Sequence, residues 1–367
     1  MLTTAELADT STAVERQHRR PALDGLRAVA ITLVVCVHAF GRPSGGYLGV
    51  DLFFVLSGFL ITRILLEEHD RLGRISLRSF YARRARRLLP GLVAMLAVYS
   101  VVAASVGEHP LVPTLEGLLY CTNFFVAFGG ETSPVNHLWS LAAEEQFYFV
   151  WPLALVALLR FRRQWVVPTL LGILGAAAVY EVVLTVGGAN GVRLDYGPDT
   201  RADGLIAGCL LAACWSKRKR PRVRLAAVAA TPVIVLCLIK LQPTTPALHL
   251  GILTLIALYF AALVQIATED GMFARVLAAS PVAYLGRISY SLYLWHLPII
   301  VALGAATASV GVGIAAVAIS LVAAAASYHF IEQPFLRNRK RGPTAVRQPG
   351  LSVKAVLEDP SQAVVRP

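Results

Sequence analysis

Leu23-Asp24-Gly25-Leu26-Arg27-Ala28-Val29-Ala30-Ile31-Thr32-Leu33-Val34-Val35-Cys36-Val37-His38 is an apolar run that carries two cations. A step of eleven residues is close to three α-helical turns. Arg27 and His38 therefore fall on one side of a helix, about 16 Å apart along its axis. The rest of the run is built for hydrocarbon, where an Arg or a His is costly and marks a functional interior. One membrane helix is thus expected to hold a guanidinium near one surface and an imidazole much further in.

The remainder of the chain has the same character. It contains 367 residues, is 56% hydrophobic and has a mean hydropathy of +0.62, which places it in the polytopic membrane class. Apolar runs long enough to cross a bilayer lie near 24–41, 47–67, 88–106, 138–159, 164–187, 202–216, 223–240, 248–268, 283–304 and 310–333. The expected fold is all-α, with about ten transmembrane helices. The stretch 115–128 is interrupted by Glu116 and Thr122-Asn123 and reads as a re-entrant or interfacial helix. The run at 202–216 is short for a full crossing.

Basic residues set the orientation. Segments on one side of this arrangement carry 28 Lys and Arg, and those on the other side carry 3. That asymmetry places both termini in the cytoplasm of a multi-pass protein of the cytoplasmic (inner) membrane. It also accounts for the net charge of +12 without nucleic acid as a partner. Residues 1–22 read as a polar cytoplasmic tail, 23–337 as the membrane domain and 338–367 as a disordered basic tail. Five cysteines form no CxxC pair, so neither a metal centre nor a disulfide framework is expected.

Several polar residues interrupt these helices. Asp51 enters the second helix at a depth similar to His38, where a carboxylate can orient an imidazole; it could equally cap the helix. Ser57-Gly58 suits a packing seam of small residues. Arg83, Arg84 and Arg87 share faces at the mouth of the third helix, a pattern that suits phosphates and also suits a positive-inside anchor. In Asn136-His137-Leu138-Trp139-Ser140-Leu141-Ala142-Ala143-Glu144-Glu145, at least one carboxylate should face a polar cavity. Positions 140, 144 and 148 share a helix face, so Glu144 is favoured, with its cavity opening to the outside. His137 and Trp139 lie where an interfacial aromatic belt would sit anyway. Arg201 and Asp203 can pair with each other, contact a polar substrate or cap a helix. Tyr290 and His296 lie on the ninth helix, His296 near mid-depth and before a kink-capable Pro298. Glu332 is expected to pair with an arginine of 83–87 or with Arg337.

In combination these segments resemble the integral-membrane acyltransferase 3 family. The resemblance rests on Leu23–Arg27 with Arg-x10-His, Gly49–Ile61, the arginine run in Phe80–Pro90, Leu138-Trp139-Ser140-Leu141 leading to Glu144–Tyr148, Thr200–Asp203, and Ser289-Tyr290 leading to Tyr293–His296. It implies O-acylation, with acyl-CoA, acetyl-CoA above all, as cytoplasmic donor. The acceptor would be a hydroxyl of a sugar, a cell-envelope glycan or a macrolide-type metabolite. It implies His38 as the central catalytic residue, and Arg27, Arg84 and Arg87 as required. Some relatives carry a fused esterase-like domain; this chain resembles the stand-alone form.

The expected chemistry has His38 either deprotonate the acceptor hydroxyl directly or take the acyl group first and hand it on, oriented by Asp51 or Glu144. Arg27, Arg83, Arg84 and Arg87 would meet acyl-CoA, and Trp139, Ser140, Arg201, Asp203, Tyr290 and His296 would contact substrate. A proton-coupled transporter is the rival class, because buried charges also mark permeation paths.

Overall fold

Proline and glycine set the limits of the first helices. Pro21 opens the first at N1, where its missing N–H costs nothing. Gly41, at φ +65°, closes it in the left-handed conformation that glycine adopts without strain. Gly73 closes the second in the same way. The structure is a computed structural model that describes residues 20–215, 220–242, 245–306 and 309–337. The two tails read from the sequence, apart from their innermost residues, lie outside the described residues.

The helices, in chain order, are α1 (Pro21–Phe40), α2 (Gly49–Leu72), α3 (Leu77–Ser105), α4 (Leu111–Leu118), α5 (Thr122–Ala127), α6 (Leu138–Phe161), α7 (Val166–Val186), α8 (Gly191–Tyr196), α9 (Asp203–Ala213), α10 (Pro221–Lys240), α11 (Ile252–Ala267), α12 (Met272–Leu277), α13 (Ser280–Arg287), α14 (Ser289–Ala302), α15 (Val310–Ala326) and α16 (Gln333–Arg337). The protein is an all-α polytopic membrane protein. Seven helices among the described residues are long and apolar enough to cross a membrane.

The other three expected spans differ from the expectation. Two are short helices, α9 and α11. The third is broken at Ile288 into α13 and α14. α14 runs on through the kink-capable Pro298. A proline removes the N–H that would bond the carbonyl four residues earlier. Here that carbonyl, Leu294, lies 3.2 Å from His137 Nε2, so a side chain from α6 takes over the lost bond. The stretch 115–128 folds as parts of two short helices, α4 and α5, joined through Tyr120 at φ +53°.

Close packing fixes α9 despite its length. Gly58 on α2 and Gly208 on α9 form a seam: a Cβ on Gly208 would lie 2.2 Å from the Val55 carbonyl oxygen, and one on Gly58 would lie 2.0 Å from that of Leu205. Ser57-Gly58 is therefore a packing seam as expected, while Ser57 itself turns toward α6. Gly208→Ala should lower stability by about 1–3 kcal/mol through overpacking against backbone. Thermal unfolding in detergent checks this, with Gly172→Ala as control, because a Cβ at Gly172 meets nothing within 4 Å.

Around this pair the core joins α1, α2, α9 and α11 through Leu26, Leu52, Phe59, Ile256 and Phe260. A second cluster joins α3, α6 and α14 through Leu92, Met95, Leu138 and Leu294. Between α1, α2, α3, α6 and α14 the helices leave a cavity.

Candidate active site

The cavity measures about 360 Å³ and is lined by Arg27 of α1, by Arg83, Arg84 and Arg87 of α3, and by Glu144 and Tyr148 of α6. Phe53 and Ser57 of α2, Ser140 of α6, and Ser289, Tyr290 and Tyr293 of α14 complete most of its wall. Its arginines lie toward the end of the bundle that bears the basic loops. Ser140, Glu144 and Tyr148 share the cavity, as their helix face requires.

The arginines are held unequally. Arg84 Nη2 lies 2.7 Å from Glu145 Oε1, and its guanidinium covers the Tyr148 ring at 3.2 Å. Arg83 pairs with Glu68 at 3.6 Å, and Arg27 with Asp24 one turn earlier at 3.5 Å. Arg87 makes no hydrogen bond or ion pair among the described residues and is exposed to the cavity mouth. It is the cation best placed for an incoming anion.

Glu144 faces the cavity but does not meet His38. Its carboxylate accepts hydrogen bonds from Ser57 Oγ at 3.0 Å and from the Tyr148 hydroxyl at 3.4 Å. Tyr290 lines the wall and donates its hydroxyl to the Leu88 carbonyl at 2.7 Å. Glu332 forms no ion pair with the arginines of 83–87 among the described residues, and the Arg337 side chain lies outside them; its Oε1 takes the hydroxyls of Ser291 at 2.5 Å and Ser327 at 3.1 Å. The one-turn π-helix Ser327–Glu332 carries that carboxylate inward, away from an ion pair with the arginines.

At its inner end the cavity stops at Ser140 and Tyr293. The Tyr293 hydroxyl lies 2.7 Å from Ser140 Oγ and donates to the His137 carbonyl at 2.5 Å. Behind Tyr293 stand three imidazoles. His296 packs edge-on against His137 with ring centroids 5.2 Å apart, and its Nε2 lies 3.1 Å from His38 Nδ1. His296 and His137 are buried; His38 is half-buried. Tyr290, Tyr293 and His296 follow one another at three-residue steps along α14, leading from the cavity to His38. Arg27 and His38 thus both face α14, as the eleven-residue step requires.

His296, expected to contact substrate, instead contacts His38. His137 and Tyr293 were missed as site residues. A three-residue step from Tyr293 to His296 was their available signal, and an interfacial position made His137 look ordinary.

Asp51 is not the partner of His38. Its Oδ1 receives Arg201 Nη2 at 2.8 Å, with both side chains buried. Asp203 accepts the Gly204 amide at 2.8 Å, and His249 contacts Asp195 at 3.1 Å and Glu181 at 4.0 Å. This buried network joins α2, α7, α8, α9 and the 246–249 turn away from the cavity. Arg201 also stands over Trp139, 5.6 Å from its ring. Trp139, Arg201 and Asp203 therefore hold helices together here and are not among the residues that line the cavity.

The arginine-lined cavity thus ends near buried histidines inside a helical membrane bundle. Comparison with known proteins identifies the class. The acyltransferase domain model matches residues 20–329, and the chain belongs to that family. It is similar to the peptidoglycan O-acetyltransferase OatA of Listeria monocytogenes, 34% identical over 349 residues, covering 87% of this chain and 56% of that protein. It is also similar to the putative peptidoglycan O-acetyltransferase YrhL of Bacillus subtilis, 35% identical, covering 87% and 55%. The O-acetyltransferase OatA of Staphylococcus aureus is 32% identical, covering 88% and 57%. The chain thus spans little more than half the length of these curated relatives. No solved structure matches.

Proposed function

We propose that the protein transfers an acyl group, acetyl above all, from cytoplasmic acyl-CoA to a hydroxyl of a cell-envelope glycan. The observation that carries this reading is the cavity, with arginines at its mouth and His137, His296 and His38 beyond its inner wall. Anionic phosphates suit the mouth, and the interior excludes the water that would hydrolyse a thioester. His38 is the general base. It takes the proton of the acceptor hydroxyl, the oxygen attacks the thioester carbonyl, the C–S bond breaks and the CoA thiolate leaves to collect a proton. Ser140 and Tyr293 stand between the cavity and the imidazoles, so the acyl group must pass them. The relatives' printed names, peptidoglycan O-acetyltransferases, support the glycan as acceptor and acetyl as the group moved.

The test is ester formation. Purified protein given labelled acetyl-CoA and a soluble peptidoglycan oligosaccharide should yield labelled O-acetyl ester, and the reading fails if acetyl-CoA is neither bound nor consumed. Arg87→Gln should weaken acetyl-CoA binding about tenfold, the loss of one charge-assisted contact. Its melting temperature should stay near the wild-type value, because Arg87 makes no hydrogen bond or ion pair among the described residues. Arg84→Gln should lower both, because it also releases Glu145. Equal affinities for wild type and Arg87→Gln by calorimetry would leave the cluster as an anchor only.

A further inference from the structure

His296 Nδ1 lies 2.7 Å from the Tyr293 carbonyl and 3.2 Å from the Leu292 carbonyl. Carbonyl oxygens only accept, so Nδ1 carries the ring's hydrogen. In the neutral imidazole this leaves Nε2 with a bare lone pair. That Nε2 lies 3.1 Å from His38 Nδ1, which must then donate. His38 in turn is left with Nε2 unprotonated. One backbone turn of α14 thus sets the tautomer of His296, and through it acts on His38, whose ring also meets the Val34 carbonyl of its own helix. Tautomers assigned in this way follow from the hydrogen-bond network.

We propose that His296 is the positioning residue of the site: it fixes His38 in the Nδ1–H tautomer and so presents His38 Nε2 as the base. The proposal rests on acyl transfer as the function for its kinetic consequences, but the tautomer stands apart from it. In many catalytic histidines a carboxylate performs this task. Here the nearby carboxylates are engaged elsewhere, Asp51 by Arg201 at 2.8 Å and Glu144 by Ser57 at 3.0 Å. An imidazole partner differs from a carboxylate in one respect. It accepts a hydrogen bond without bringing charge, so the imidazolium formed when His38 takes the acceptor's proton gains an aligned lone pair but no ion pair. His137 is also held by a carbonyl, but at its other nitrogen: its Nε2 is 3.2 Å from the Leu294 carbonyl, freed by Pro298, and its Nδ1 has no hydrogen-bond partner among the described residues.

Two variants and two measurements test this. His296→Phe keeps an aromatic ring but removes the acceptor; His296→Gln keeps an acceptor near the Nε2 position. Nitrogen-15 spectra of histidine-labelled protein in detergent, with the His38 signals assigned by their loss in His38→Ala, report which ring nitrogen of His38 carries hydrogen. Wild type and His296→Gln should show Nδ1–H, and His296→Phe a mixture. With labelled acetyl-CoA and the oligosaccharide, His296→Phe should lose about 10–100-fold in kcat with KM for acetyl-CoA unchanged. His296→Gln should recover most of that loss. A purely structural role would move melting temperature and KM together and would not be rescued by Gln. His38 found with hydrogen on Nε2 in the wild type, or His296→Phe turning over at the wild-type rate, overturns the proposal. Wild type that shows Nδ1–H but no turnover would instead overturn acyl-CoA as donor and leave the tautomer in place.

Discussion

His38→Ala should abolish ester formation, a loss on the order of 10²–10⁴-fold for removal of a general base. Its yield and monodispersity in detergent should stay near wild type. The side chain is half-buried and its polar contacts are the His296 imidazole and the Val34 carbonyl of its own helix, so truncation strands no charge. Turnover of acetyl-CoA by the purified variant, measured beside its melting temperature, is the check. Retained turnover would remove His38 from the chemistry; a collapsed fold would make it structural.

Arg201→Leu should have the largest effect on stability, about 3–5 kcal/mol, because it leaves the buried Asp51 carboxylate uncompensated. Asp203, Glu181 and Asp195 lie in the same buried network, where His249 contacts Glu181 and Asp195. The double variant Asp51→Asn/Arg201→Leu should regain part of the loss, since it removes the stranded charge along with its partner. Protein that does solubilise as the double variant should keep its affinity for acetyl-CoA, because neither residue lines the cavity. Melting curves in detergent separate these cases. A single variant that melts with the wild type would show that the pair is solvated and not structural.

What the sequence made legible, and what it did not, follows from one geometric limit. Spacing along a helix reports which residues share a face, so Arg27 with His38, and Ser140 with Glu144 and Tyr148, were grouped correctly. Spacing also reports depth, and Asp51 does enter α2 near the outer limit of α1, as His38 does. It does not report how each helix is turned against its neighbours. Asp51 is therefore rotated toward Arg201, 150 residues away in the chain, while His296, 258 residues from His38, takes the place expected for a carboxylate. The break at Ile288 was hidden for a related reason. Gly286 packs so tightly against α1 that a Cβ would lie 1.7 Å from the Asp24 carbonyl oxygen, a contact between distant segments that no local pattern announces. Pro298 was a visible breaker, but His137 satisfies the carbonyl it frees, and the helix continues. The membrane class, by contrast, needed only composition and run length, and seven of the ten expected spans stand as long apolar helices among the described residues.

The central claim is directional: the donor enters at the arginine end and the acyl group reaches His38 from within. Protein reconstituted in one orientation in sealed vesicles, with labelled acetyl-CoA offered to one face and the oligosaccharide to the other, tests it most directly. The account predicts labelled ester only when acetyl-CoA meets the face bearing Arg83, Arg84 and Arg87, and none with His38→Ala. Equal labelling from either face, or labelling only when acetyl-CoA meets the opposite face, would contradict it.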